Sequence, residues 1–107
     1  MSEPNVKEKD VTLFVVAELR AMGGQEDRLR TALEAMVEPS LDEPGCLAYR
    51  PYADPNDPSR MVVVEEWTGP AALGAHFATP HFRHAEMVFD RILAEPMTVR
   101  RLGAVTP

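Results

Sequence analysis

One cysteine, Cys46, is all the chain has, so no intramolecular disulfide can staple it and a reducing cytoplasm is the expected setting. Positive charge is also scarce. Eleven Lys and Arg stand against 17 Asp and Glu, a formal net charge of −6, and the basic residues never gather into a stripe. That argues against nucleic acid as a partner, because a phosphate backbone rewards clustered cations. Long apolar runs are missing as well: Leu13–Ala17 and Met61–Val64 fall far below the roughly 20 residues of a membrane span. The opening MSEPNVKEKD has no apolar core of the signal-peptide kind, and residues 1–10 are expected to form a loose charged tail. Neither a G-x-G-x-x-G nor a P-loop pattern occurs, so a nucleotide lacks its usual cradle and no cofactor is expected.

What is present fits one soluble domain. The 107 residues are 45% apolar and 26% charged, with no composition break, so residues 11–105 read as a single unit. Val11–Arg20 is β-branched and aromatic and stops before Gly23-Gly24, as a strand does. From Gln25 the apolar residues recur three and four apart (Leu29, Leu33, Met36, Val37, Leu41), which predicts an amphipathic helix kinked or ended early by Pro39. Cys46–Ala53 and Arg60–Thr68 read as two strands joined by a long DPNDPS loop. Pro51 places the first of them at a sheet edge, and Met61–Val64 reads as central. Pro70 starts a short helix; Thr79 caps another, which carries Phe82, Ala85, Phe89 and Ile92 on one stripe. A last strand runs from Met97 to Val105.

Strand, helix, strand, strand, helix, strand is the ferredoxin-like βαββαβ order, an α+β fold with an antiparallel sheet, helices on one face and the first and third strands central. Both faces of the first strand carry apolar groups, and two helices cover only one face of a sheet. The other face would expose several hundred Å², more than a monomer usually shows, which predicts a homodimer with sheets packed face to face.

At GCLAY (Gly45–Tyr49), EEW (Glu65–Trp67) and AHFATPHF (Ala75–Phe82), the chain resembles the antibiotic biosynthesis monooxygenase family, which includes small quinol monooxygenases. The resemblance extends from about Val11 to Val105. It implies a dimeric α/β barrel with one pocket per protomer between sheet and helices, and a small aromatic or quinol substrate oxidised by O₂ without metal or flavin. Relatives with this fold also include isomerases, haem degraders and proteins of unknown activity.

The short segment from Glu65 to Glu86 holds the sole tryptophan and all three histidines. His76, three after Leu73 and beside Phe77, points inward and suits proton abstraction from a phenol; the plainer role is a structural imidazole bonded to a backbone carbonyl. Glu65 and Trp67 share a strand face, so the carboxylate is placed either to orient His76 or hold a substrate hydroxyl, or to pair with Arg20, Arg50 or Arg100. Tyr49, expected to face with Leu47, offers a hydrogen bond to an oxyanion. Phe14, Phe77 and Phe82 are expected to line the pocket. His81 supports the corner or reaches the pocket mouth, and His84 shares its face. No metal site is expected from His76, His81 and His84: Thr79-Pro80 breaks the helix between them, and no cysteine pair or HExxH spacing completes a set. Cys46 has no neighbouring base and reads as inert.

A monooxygenase of small aromatics with His76 as base is the leading expectation. The alternatives are a dimeric barrel that binds a small molecule without turnover, an isomerase of a small signalling molecule using His76 and Glu65, and a haem degrader. The last is disfavoured because the haem-degrading relatives carry an Asn on the first strand and VTLFVVAELR has none.

Overall fold

A computed structural model describes residues 12–103. The expected tail at residues 1–10 and the ends of the first and last predicted strands lie outside them. Alternating burial along Leu13–Arg20 (β1) marks a strand with one covered face: Val15, Ala17 and Leu19 are buried, while Phe14 is 41% exposed. Helix α1 (Glu26–Leu41) lays Leu29, Leu33, Met36 and Ser40 against the sheet. It continues through Pro39 rather than ending there, because the proline sits within three residues of the end, where only one intrahelical bond is lost.

Strand β2 (Cys46–Asp54) pairs with β3 (Asp57–Trp67). The predicted long loop is instead a two-residue hairpin connection, since Asp54 pairs with Asp57 and the Asp54 Oδ1 accepts the Asn56 N–H at 2.8 Å. Aspartate side chains made this turn compact by bonding their own backbone two residues on. Helices α2 (Pro70–Phe77) and α3 (Pro80–Ile92) follow, then β4 (Thr98–Leu102).

The four strands lie antiparallel in the order β2-β3-β1-β4, which is the ferredoxin-like α+β fold with β1 and β3 central. One core fills the space between sheet and helices: Leu29 and Leu33 from α1 and Phe89 and Ile92 from α3 meet Val15, Leu19 and Val63. Each such side chain contributes roughly 1.5–3 kcal/mol on burial. The opposite sheet face carries Phe14, Val16, Val62, Val64 and Leu102, and none of the helices among the described residues lies over it. Among the described residues no helix is long and apolar enough to cross a membrane.

Candidate active site

His76 sits near the end of α2, where Pro70 at the first helical position sets the helix direction and Leu73, three residues earlier, is fully buried on the same face. Its ring is 1% exposed and stacked among aromatics: the Trp67 centroid lies 4.6 Å away, Phe82 5.1 Å, Tyr49 5.7 Å and Phe77 5.7 Å. The corner that holds it is tied by Thr79, whose hydroxyl donates to the His76 carbonyl at 2.7 Å and accepts the Phe82 N–H at 3.2 Å to cap α3. Corner closure therefore belongs to the backbone carbonyl of His76, and the ring is left for other work.

That ring meets Glu43. The Glu43 Oε2 lies 2.7 Å from His76 Nδ1 and 2.6 Å from His81 Nε2, so one carboxylate oxygen serves two imidazoles. Glu43 is fixed in the turn after α1, where its N–H donates to the Ser40 carbonyl and its own carbonyl accepts from Cys46 N–H. Gly45 lets this turn press against α2: a methyl group there would collide with the Ala72 side chain and come within 2.8 Å of Thr68 Oγ1. Thr68 N–H closes the contact on the Gly45 carbonyl at 2.9 Å.

Orienting His76 was one of the roles expected for Glu65, and the contact to the ring is made by Glu43. Glu65, 5% exposed, instead accepts the Trp67 indole N–H at 3.0 Å. It pairs with none of the arginines considered for it: Arg20 bonds Glu95, and Arg100 approaches Glu18. Burial, with the nearby Glu43 charge adding to it against the indole hydrogen bond, pushes the Glu65 carboxyl up to about 7. Burial likewise pulls His76 below its usual value, opposed by Glu43 and reinforced by His81. Both groups are thus drawn toward the neutral form.

His76, Glu65, Tyr49, Phe77 and Phe82 line one cavity against Val15, Ala17 and Val63, between sheet and helices. As it stands the cavity leaves only about 10 Å³ to the centre of a water-sized sphere. Trp67 does not line this cavity; it reaches the site only through its ring contact to His76, 4.6 Å between centroids. Tyr49 pairs with Glu65 across β2 and β3 and is buried; burial raises its hydroxyl strongly, so it is a donor at all ordinary pH. The register shift between Cys46 and Ala48 separates it from Leu47, which is exposed rather than sharing its face. Phe14 is not brought to the cavity, because period-two alternation turns it to the opposite sheet face. His84 is exposed on α3, on a groove between α1 and α3 that His81 also lines. Cys46 is held as a thiol, burial pushing it up to about 11.

Glu43, His76 and His81 present three ligand-type atoms within 4.8 Å of one another. Their carboxylate-to-ring distances are hydrogen-bond lengths, whereas ligands of a tetrahedral zinc, bound at about 2.0–2.2 Å, stand roughly 3.3 Å apart. An ion would have to spread the three groups and take over their shared protons.

Fold and site define a small α+β protein with a buried histidine and glutamate gathered among aromatic rings between sheet and helices. The model of the antibiotic biosynthesis monooxygenase family matches residues 12–86, and the chain belongs to that family. It is 33% identical over 102 residues to the "Probable quinol monooxygenase YgiN" of Escherichia coli (strain K12), covering 85% of this chain and 98% of that one. It is 28% identical over 96 residues to the uncharacterized protein sll1783 of Synechocystis; that match covers 90% of this chain but spans 65% of the relative's length. The crystal structure of PA3566 from Pseudomonas aeruginosa superimposes with a TM-score of 0.85 at 28% identity, covering 92% of this chain and 98% of the other.

Proposed function

We propose that the protein is a cofactor-independent monooxygenase that oxidises a small aromatic or quinol with O₂, with His76 as the base. The observation that carries this reading is the His76–Glu43 contact: it engages Nδ1 and leaves Nε2 as the other ring nitrogen of a residue that lines one cavity with Glu65 and Tyr49. Facing Glu43 as a carboxylate, neutral His76 carries its proton on Nδ1 and an open lone pair on Nε2.

A quinol hydroxyl placed on Nε2 loses its proton to His76, and the electron-rich anion passes one electron to O₂. Recombination of the radical pair makes a C–O bond. Loss of water from the resulting peroxide then gives a hydroxylated quinone, so one quinol and one O₂ become one hydroxyquinone and one H₂O, with no outside reductant. Glu65, with a carboxyl near neutrality, supplies a proton toward the departing oxygen. An apolar cage suits this chemistry by keeping water from the radical pair. Because the cavity is nearly closed, a bound ring must displace the half-buried Phe77 and Met97, and methionine adapts readily to such changes.

The working unit is a homodimer packed through the uncovered sheet face, in a reducing cytoplasm to which a lone buried-side thiol is suited. Protein stripped of metal and flavin should consume O₂ with a dihydroxyarene, and His76→Ala should slow that uptake by roughly 10²-fold or more. An oxygen electrode reads both. Absence of uptake across a broad quinol panel, or uptake indifferent to His76→Ala, refutes the assignment.

A further inference from the structure

Two short side-chain hydrogen bonds, of 2.7 and 2.6 Å, converge on one atom, Glu43 Oε2. They come from unlike environments. His76 is almost wholly enclosed, whereas His81 is 24% exposed and opens onto the groove of about 820 Å³ between α1 and α3. Glu43 lies between them at 10% exposure. The buried imidazole thus reaches water through a carboxylate and a second imidazole, over 33 and 38 residues of sequence.

We infer that Glu43 and His81 are positioning residues for His76: Glu43 fixes the ring by Nδ1 with Nε2 toward the cavity, and His81 sets how much of that carboxylate His76 receives. The inference rests on His76 being the base of the proposed reaction. Two N–H donors on one oxygen compete for its electron density, so whatever strengthens one bond weakens the other. When His76 accepts a substrate proton it becomes a cation beside Glu43, and a charge-assisted hydrogen bond favours that product. A cationic His81 opposes it by taking the same oxygen and by repulsion across the 6.0 Å between ring centroids.

The ionisable groups facing His76 are accounted for by element. Glu43 comes from the α1–β2 turn, Tyr49 from β2, Glu65 from β3 and His81 from α3. Tyr49 is neutral over the working range, and Glu65 is turned to Trp67. Glu43 and His81 are left as the pair whose charges act on the ring in opposite senses, Glu43 toward the cation and His81 away from it.

Opposite signs make the test. Histidine side chains of the full-length protein are followed by nitrogen-detected NMR against pH in wild type, Glu43→Gln and His81→Gln. Neutral His76 is expected as the Nδ1–H tautomer. Its titration midpoint should move to lower pH in E43Q, which removes the favourable partner, and to higher pH in H81Q, which removes the competitor. The acid limb of O₂ uptake should follow the same two directions, and E43Q should also lose about 10- to 10²-fold in maximal rate, the value of a charged hydrogen bond. A residue that merely packs would move neither midpoint. An Nε2–H tautomer in wild type, or midpoints that stay put or move together, overturns the inference. Should E43Q fail to fold, the wild-type tautomer, Glu43→Asp and the His81 variant still decide. NMR needs no substrate, so these shifts can stand even if no quinol is oxidised, and the two readings fail separately.

Discussion

Glu65 shows how much one buried carboxyl can shape a small protein. Its folded-state value of about 7 lies above the ordinary 4.5, so the folded chain binds this proton more tightly than the unfolded chain does. Stability from this group is therefore complete below about pH 4.5 and is lost as pH rises through 7. The loss amounts to about 3 kcal/mol. Glu65→Gln keeps the shape and an acceptor for the indole while removing the titration, so the fall in urea midpoint from pH 5 to 8 expected for wild type should disappear in the variant, which keeps only the opposite trend set by His76. A parallel fall in both would refute the burial account. His76 works in the reverse sense: its lowered value makes the folded state lose stability as pH falls through it. Glu43 was not legible at this scale. It lies in the acidic run Asp42-Glu43-Pro44, which reads as a solvated helix end, and no local spacing links it to imidazoles more than 30 residues away. The one cue was its place immediately before Pro44-Gly45, where the chain must turn back toward the sheet.

At the scale of elements, periodicity carried most of the reading. Period-two alternation located Glu65 and Trp67 on one face, and the apolar stripe of α3 appears as Phe82, Ala85, Phe89 and Ile92, all buried. Departures came where side chains bond their own backbone or where register slips by one. Asp54 and Asp57 shortened the expected loop into a tight hairpin, and the irregularity at Cys46/Ala48 turned Leu47 outward. Neither effect leaves a periodic trace. The junction between the α1–β2 turn and the start of α2 offers a sharper test. Gly45→Ala places a methyl group against Ala72 and Thr68, so the turn bearing Glu43 must back away. We expect a loss of roughly 1–3 kcal/mol in stability, as overpacking typically costs. We also expect a weaker His76–Glu43 contact, read by thermal unfolding and by the His76 tautomer. Unchanged stability would mean that this turn is softer than its hydrogen bonds imply.

Across the whole molecule, the ferredoxin-like order was legible because six elements alternate clearly in type; the helix after β3 differs only in being cut in two at Thr79-Pro80. What the described residues leave uncovered is the second sheet face. Val16 and Val64 stand directly opposite each other there, flanked by Phe14 and Leu102. Val64→Glu puts a charge at the centre of that patch and should convert the proposed dimer to a folded monomer, with the sedimentation coefficient falling while the far-ultraviolet circular dichroism stays unchanged. A dimer that survives the substitution must use another surface.

Trp67, finally, is the only indole in the chain, wholly enclosed, bonded to Glu65 and tilted against the His76 ring. Excited indole gives up an electron readily to a protonated imidazole and only poorly to a neutral one. The single indole is therefore an expected optical reporter: its emission should be brighter when His76 is neutral and dimmer when it is charged, with no second tryptophan to dilute the signal. A pH titration of that emission in wild type and in Glu65→Gln, whose carboxyl otherwise titrates against the same indole, should separate the His76 contribution in native, unlabelled material.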